Sequence, residues 1–256
     1  MSSYGLWLSA AGMQVSEHRQ TLVANNMANA GTTGFKHDLA VVTQRRIESA
    51  SSAGGAAFAS PLFDGLVGGL DVRPTQTDFT QGPIERTERP LDVAIDGDGF
   101  FSVSDGTATR YTRDGAFALN TAGELVLATE GGRWRVLDDA GGRITVVPAA
   151  GSPSIAQDGT IRQGETVVAK LGLFDTPNRQ SLRKVGENLF TAGDTEMTAT
   201  AGRFAARSRE GANLEVTKGL VTMIEAARAY QLNATMLQLQ DQATGQAVSA
   251  VGRFVA

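Results

Sequence analysis

The chain has 256 residues, 23 basic and 27 acidic side chains, a formal net charge of −4, and no cysteine. Net acidity argues against nucleic acid or an anionic membrane surface as the main partner, because both favour a concentrated basic patch. The absence of cysteine excludes disulfides, thiolate metal sites and cysteine nucleophiles, and no apolar run reaches the roughly 18 residues of a membrane span.

The N-terminal segment, from residue 1 to about residue 30, is predicted to form a helix with a narrow apolar stripe. It lacks the basic start and continuous apolar core of a cleavable secretory signal, so we expect none. The stripe residues recur at alternating four- and three-residue steps, the period of a helix that packs along another helix. They are Tyr4, Leu8, Ala11, Val15, His18, Leu22 and Asn25.

Residues 37–78 are predicted to be a linker or an extended arm. The low-complexity part of this segment, residues 44–69, is rich in serine, alanine and glycine. Such a composition buries too little apolar area to offset the entropy of ordering. We therefore expect this segment to connect the first helix to the next domain.

Residues 79–212 are predicted to form a central, mainly antiparallel β domain. Short strands separated by glycine-rich turns are typical of an antiparallel sandwich or an open barrel. The turns predict that 91–95 pairs with 100–104, and that 110–112 pairs with 116–119 across Asp114-Gly115. The further expected strands are 124–128, 134–137, 144–147 and 166–174.

A second, long helix is predicted from Asn213, an N-cap residue type, to residue 256. At about 1.5 Å per residue it would be roughly 60 Å long. Its stripe has the same period as the first; the members are Val216, Leu220, Met223, Ala227, Tyr230, Ala234, Leu237, Asp241, Thr244, Val248 and Val251. Further apolar residues widen the stripe and predict more than one neighbour; they are Val221, Ile224, Leu232, Met236 and Leu239.

These elements predict an α+β fold in which paired, coiled-coil-like N- and C-terminal helices flank the β domain. The spacing alone allows two arrangements of the stripes: an intrachain helical hairpin, or packing against other molecules. An isolated chain that left both stripes in water would gain little from folding them. The length of the second helix favours intermolecular partners.

No catalytic residues, cofactor or metal site are predicted. A calcium loop that began at Asp92 would have Ala94 at its third position and Val103 at its twelfth, where an EF-hand requires glutamate. His18 lies on the helical stripe, where packing is expected rather than catalysis. The triplet Arg113-Asp114-Gly115 matches an adhesion signal only as a string of letters, and a hairpin turn is the simpler interpretation.

Residues 22–36, LVANNMANAGTTGFK, closely resemble the N-terminal signature of bacterial flagellar rod and hook proteins. Other stretches resemble the same family, and together they cover most of the chain outside 44–69 and 130–150. These stretches are DFTQG (78–82), PLDVAIDGDGFF (90–101), YTRDG (111–115), SIAQDGT (154–160), VGENLF (185–190) and LVTMIEAARAYQLN (220–233).

The resemblance implies a structural subunit of the flagellar basal-body rod that assembles through its terminal helices around a central channel. The implied partners are copies of the chain, other rod and hook axial proteins, and the flagellar type III export apparatus, with no nucleic acid and no membrane insertion. The start of the chain favours the proximal rod, with the distal rod or a hook-basal-body protein as alternatives. We hypothesise that such a subunit transmits torque by packing.

The resemblance and the two stripes assign assembly and packing roles to three sets of residues. The motif residues at the end of the first helix are Asn25, Asn26, Asn29, Thr32, Gly34 and Phe35. The C-terminal motif adds Met223, Ile224, Arg228, Tyr230 and Asn233. The stripes add Leu8, Ala11, Val15, Leu22, Leu220, Ala227 and Leu237.

Two other classes of protein are alternative hypotheses. A cell-wall-active enzyme would use paired carboxylates such as Asp96 and Asp98, and the purified protein would digest peptidoglycan. A secreted adhesin or scaffold with coiled-coil ends would form a soluble oligomer of fixed size. A rod subunit, in contrast, would be monomeric alone and would polymerise in the presence of other axial proteins.

Overall fold

The computed structural model describes residues 3–44, 69–147 and 151–252. Except for its first and last residue, the low-complexity segment predicted at 44–69 lies outside these described residues. The chain divides into two compact units. The helical unit contains Met1–Met27, Asp38–Gln76 and Glu215–Ala256, and the β unit contains Ala28–His37 and Thr77–Leu214.

The helical unit contains the two predicted terminal helices, α1 (Ser3–Ala28) and α2 (Val216–Gly252). Strands β1 (Asp38–Gln44) and β2 (Leu70–Thr77) pair with each other as a two-stranded sheet. These two strands contain most of the described residues of the segment 37–78, which was predicted to be a linker or an extended arm. Among the described residues, neither helix has an apolar stretch that would suit it to crossing a bilayer.

Asn213 is not the N-cap that the sequence predicted, because α2 begins at Val216. Its side chain has a different role within the β unit. The Nδ2 atom donates to the Asp78 carbonyl at 2.8 Å, and the Oδ1 atom accepts from the His37 backbone N–H at 2.7 Å. The Asn213 N–H also donates to the Phe35 carbonyl at 3.2 Å. One amide side chain therefore ties two chain segments together, which a cap prediction from local sequence cannot foresee.

The described strands of the β unit are short and pair antiparallel, as predicted. The strands are β3 (Ile84–Arg86), β4 (Val93–Asp96), β5 (Phe100–Ser104), β6 (Thr109–Thr112), β7 (Phe117–Leu119), β8 (Leu125–Leu127), β9 (Arg135–Val136), β10 (Pro153–Ile155), β11 (Thr160–Gln163), β12 (Thr166–Lys170), β13 (Leu173–Asp175), β14 (Arg183–Lys184), β15 (Leu189–Thr191), β16 (Thr198–Ala199), β17 (Arg203–Ala206) and β18 (Ser208–Glu210). The largest sheet has the order β14-β15-β6-β5-β9-β8-β7, with β13 on β5 and β16 on β13, and smaller sheets are β10-β11-β12, β17-β4 and β18-β3.

Both strand pairings predicted from turn residues are wrong. Strand β4 pairs with β17 rather than β5, and β6 pairs with β5 and β15 rather than β7. Asp114-Gly115 is therefore not a hairpin turn. Gly115 is required because the chain passes close to β4, where a Cβ atom would lie 1.6 Å from the Val93 carbonyl oxygen. Turn dipeptides report local backbone preference, whereas the glycine here is needed because of a strand distant in sequence.

Two of the predicted strand segments also have different limits. Residues 144–147 contribute an isolated bridge from Thr145 to Glu124 rather than a strand. The predicted strand at 166–174 is divided into β12 and β13 around Gly172, where a Cβ atom would lie 2.6 Å from the Asp138 carbonyl oxygen. The close approach of another chain segment therefore decides where these strands end.

The core of the β unit follows from the alternating pattern of its strands. In β5, Phe101 and Val103 join the larger apolar cluster, whereas Phe100 belongs to a second cluster. The rings of Phe100 and Phe79 meet edge to face at 5.7 Å between centroids. Because both faces of β5 are buried, this strand is the centre of the unit.

Candidate assembly surface

Within the helical unit, α1 and α2 approach closely through small residues. A Cβ atom at Gly12 would lie 2.7 Å from the Asn233 Oδ1 atom, so a side chain at this position would have to displace the Asn233 amide. The contacts run in opposite chain directions, which makes the helical pair antiparallel. They join Gly5 with Gln240, Gly12 with Asn233, and Gly219 with Met27.

The face of α1 that meets α2 includes small residues next to the predicted apolar stripe of Leu8 and Val15. Ser9 and Ser16 are buried and, with Gly5 and Gly12, repeat every seven residues. The Ser16 hydroxyl donates to the Gly12 carbonyl at 2.8 Å, so its polar group is satisfied within the helix. Small residues therefore occupy part of the α1 face that meets α2, beside the buried Val15 of the predicted stripe.

Replacing Gly12 by leucine should destabilise the helical pair by about 1–3 kcal/mol, because the added side chain overpacks a closed contact. We expect a lower midpoint for the loss of helical circular dichroism on heating. Gly245→Leu is the matched control, since nothing lies within 4 Å of a Cβ atom there. This control should raise helix stability by up to about 1 kcal/mol, in line with helix propensity. Equal midpoints for the two variants would contradict the close-contact interpretation.

The outer side of α2 presents an exposed apolar ridge, with members mostly four residues apart. Leu220 is 47% exposed and Leu232 is 68% exposed. Rows with this spacing are the ridges that pack into grooves of a neighbouring helix. We call this set the α2 ridge; it consists of Val216, Leu220, Ile224, Leu232, Met236 and Leu239.

The residues that the sequence assigned to assembly have three levels of exposure. The exposed members are Leu8, Asn25, Leu220, Ile224, Arg228 and Tyr230. The half-buried members are Ala11, Leu22, Asn29, Thr32, Met223, Ala227, Asn233 and Leu237. The buried members are Val15, Asn26, Gly34 and Phe35.

Within the N-terminal motif, Asn26 makes contacts inside the chain. Its Nδ2 atom donates to the Asp38 carbonyl at 2.8 Å, and its Oδ1 atom accepts from the Asp38 N–H at 3.0 Å. The amide thus copies the hydrogen bonds of a neighbouring strand and ties the end of α1 to the start of β1. This residue shapes the helical unit rather than offering itself to another subunit.

Gly34 is the motif position with the strictest backbone requirement. It has a φ angle of +66°, and a Cβ atom would lie 2.5 Å from the Arg113 carbonyl carbon. Its N–H donates to the Glu210 carbonyl at 2.7 Å. A glycine is needed here both for the left-handed conformation and for the close approach of two backbones.

Next to this glycine lies a buried ionic cluster that the sequence did not predict. We call it the Glu210 cluster; its members are Lys36, Glu210 and Arg113. The Lys36 Nζ atom lies 2.6 Å from Glu210 Oε1, and the Arg113 Nη1 atom lies 3.2 Å from Glu210 Oε2. All three side chains are at most 2% exposed. Only the position of Lys36 at the end of the motif hinted at such a role.

Burial controls the charges of the Glu210 cluster. Loss of solvent lowers the pKa of both Lys36 and Arg113, while the attraction of Glu210 raises it again in part. The Gly82 N–H also donates to Glu210 Oε1 at 2.9 Å, and Lys36 Nζ donates to the Thr80 carbonyl at 2.6 Å. The cluster therefore joins four segments of the β unit.

Two further side chains hold the motif segment within the β unit. The Lys184 ammonium lies 4.5 Å from the centre of the Phe35 ring, a cation–π contact. Asn188 donates from Nδ2 to the Thr33 carbonyl at 2.6 Å. Among the described residues, no group of three or more His, Cys, Asp or Glu side chains is arranged to hold a metal ion. The motif segment is thus held in place by packing and hydrogen bonds.

Comparison with known proteins identifies relatives along most of the chain. Residues 94–163 match the flagellar hook protein FlgE/F/G D1 domain, and residues 207–250 match the flagellar basal body rod FlgEFG protein C-terminal family. The flagellar basal-body rod protein FlgF of Caulobacter vibrioides is 33% identical over 91% of each chain. The FlgG proteins of Buchnera aphidicola (subsp. Acyrthosiphon pisum) and Bacillus subtilis are 33% and 30% identical, each over 93% of this chain and 95% of its own length.

Proposed function

The chain belongs to the family of flagellar basal-body rod proteins, and on this premise we propose that it transmits torque along the rod by side-chain packing alone. It is a structural subunit of the basal-body rod, a member of an axial family whose proteins assemble with one another. The enzyme and adhesin hypotheses have no support from these relatives.

The observation that carries the proposal is the two-sided character of α2. One side meets α1 through Gly219 and Asn233, so the helical pair is already formed within one chain. The α2 ridge is left exposed on the other side. Covering an apolar side chain such as Leu220 or Ile224 is worth about 1.5–3 kcal/mol when burial is complete. Burial of the α2 ridge against a neighbouring subunit would therefore supply free energy for assembly.

A contact between different surfaces of successive subunits does not close, so it generates a helical array instead of a ring. Packed side chains resist deformation because protein interiors have the density of organic crystals. Torque applied at one end of such an array passes from subunit to subunit without any chemical step. The proposed partners are copies of this chain and other rod and hook axial proteins, in the proximal part of the rod.

The delivery of the subunit to the rod is part of the same proposal. We propose that the subunit travels unfolded through the flagellar type III export apparatus and folds on assembly. The assigned surface residues, chiefly Leu8 with the α2 ridge members Leu220 and Ile224, then meet neighbouring subunits. The motif residues Asn26, Gly34 and Phe35 fix the chain where it leaves α1, through contacts within the chain.

The proposal is tested in a strain that lacks this chain and carries an epitope-tagged copy. Without the copy, cells should be non-motile and their basal bodies should lack a continuous rod in electron micrographs. With the copy, the tag should appear on the rod, near its proximal end. Complete rods in the strain without the copy would refute the function, and a label at the distal end would refute the proximal position.

Torque transmission itself is tested with Ile224→Ala, which trims the α2 ridge without adding a charge. Loss of the side chain should weaken each subunit contact by about 1–2 kcal/mol while assembly continues. We expect swimming to stop at a lower medium viscosity than in the parent strain. Val167→Ala removes an exposed side chain from the β unit and is the control. An unchanged viscosity limit for Ile224→Ala would count against packing as the carrier of torque.

A further inference from the structure

The β unit has a surface feature of its own, a groove of ≈ 490 Å³ lined by both polar and apolar residues. Its polar lining residues come from strands β3, β10 and β18 and from the connections beside them. These residues are Arg86, Ser154, Gln157, Arg207 and Ser208. Two cationic side chains thus face a groove that also offers hydroxyl and amide groups, a set suited to a carboxylate-bearing ligand.

The two arginines of the groove form no ion pair with an acid among the described residues. Arg86 and Arg207 are exposed, and neither forms an ion pair with any described residue. Nearby arginines differ, since Arg89 and Arg209 lie 3.6 and 3.5 Å from the carboxylate of Asp92. The groove therefore carries unpaired positive charge in a protein of net charge −4.

Arg207 occupies its place in a costly backbone conformation. Its φ angle is +50°, a region that L side chains rarely adopt. The residue lies between β17 and β18, where the chain leaves its partner β4 and joins β3. Glycine would make this bend without strain, so the bend by itself does not explain an arginine.

A complementary acidic element lies elsewhere on the same unit, between β15 and β16. Asp194 and Glu196 are exposed, and neither has an ion-pair partner among the described residues. The intervening Thr195 is held in place, since its Oγ1 atom donates to Ser181 Oγ at 2.8 Å and its N–H donates to the Ala192 carbonyl. We call residues 193–197 the acidic loop; it presents two carboxylates on a fixed turn.

We propose that the acidic loop of one copy of this chain binds in the arginine groove of the next copy. The carboxylates of Asp194 and Glu196 then accept hydrogen bonds from Arg86 and Arg207, whose planar guanidinium groups suit bidentate contacts. Because the loop and the groove are different surfaces, the contact repeats from copy to copy without closing. This inference rests on the proposed assembly into a rod and names a contact between the β units of successive copies.

Cysteine crosslinking tests the contact with no background, because the natural chain contains no cysteine. Two differently tagged copies, one with Gln157→Cys and one with Thr195→Cys, are co-expressed in cells that lack the natural chain. Basal bodies are isolated and treated with a short bis-maleimide. We expect a crosslinked product that carries both tags. The control replaces Thr195→Cys with Ala122→Cys, an exposed residue of the turn before β8, and should yield no such product.

Charge reversal then identifies the interaction. Arg86→Glu with Arg207→Glu in the groove copy should reduce the crosslinked fraction by about tenfold, because like charges that face each other across an interface repel strongly. Adding Asp194→Arg and Glu196→Arg to the loop copy should restore the product. If the groove variant alone prevents rod assembly, the added loop substitutions should still restore the crosslinked product. A product that is unaffected by reversal, or is not restored, overturns the proposal.

Rods that form normally without the crosslinked product also overturn it, while the proposed rod function would stand. The proposal fails in the same way if another axial protein or a wall glycan occupies the groove, because the two introduced thiols would then remain apart. Loss of the rod function would instead appear as complete rods in cells without the chain. The two failures are therefore distinguishable.

Discussion

Replacing Leu220 by aspartate should abolish rod assembly while the β unit stays folded. Leu220 is 47% exposed on the α2 ridge, so the monomer tolerates a charge at this position. At a subunit contact, the same charge would be buried without a partner in place of a side chain worth about 1.5–3 kcal/mol. Because the contact recurs at every subunit, we expect no rods in electron micrographs and no swimming.

Val167→Asp is the matched control for Leu220→Asp, since it places the same charge on an exposed apolar residue of the β unit. This variant should assemble and swim. Both variants should unfold in urea within about 0.5 kcal/mol of the natural chain, as is usual for surface substitutions. Intact rods and normal motility with Leu220→Asp would refute the α2 ridge as an assembly surface.

The second large effect concerns the stability of the β unit. Glu210→Gln should lower its free energy of unfolding by about 3–5 kcal/mol, since it leaves Lys36 and Arg113 buried without a counter-charge. Glutamine keeps the size of the side chain, so the loss reports charge rather than a cavity. Urea unfolding followed by tryptophan fluorescence measures it, because Trp134 is buried in this unit.

The unfolding free energy of the Glu210→Gln variant should change with pH in one direction only. Burial lowers the pKa of Lys36 from its ordinary value of 10.5, so the unfolded chain binds that proton more tightly than the folded chain. The unfolding free energy of the variant should therefore rise as the pH is raised towards 10.5. Glu165→Gln, on an exposed turn between β11 and β12, is the control and should change little at any pH. Equal stability of the two variants would show that the Glu210 cluster is not a stabilising unit.

The helices and the family could be predicted from local sequence because their signals are local. The alternating four- and three-residue steps of α1 and α2 are a property of neighbouring residues, and the motif at 22–36 is contiguous. The antiparallel nature of the β unit was predictable for the same reason, since short alternating strands and glycine turns are visible directly in the chain. Leu220 of the stripe and Ile224 beside it were assigned to assembly from the same local pattern, and that role stays a prediction.

The strand pairings and the support of the site could not be predicted in this way. The partners of β4 and β6 depend on segments far along the chain, and Asp114-Gly115 gave a local signal for a turn that does not form. The Glu210 cluster joins Lys36, Arg113 and Glu210, which are widely separated in sequence. Charged residues are usually on the surface, so their burial together has no sequence signature.

The sequence by itself determined that this protein has two helical ends, a β middle and a place in the flagellar rod family. Tertiary structure alone decided which face of each helix is covered within the chain and which stays exposed. Part of the reason is steric: at Gly12 and Gly219 a Cβ atom would lie within 3.2 Å of Asn233 and Met27, so the two helices approach closely there. The apolar side chains of the α2 ridge lie outside this contact and stay exposed, where another subunit can cover them.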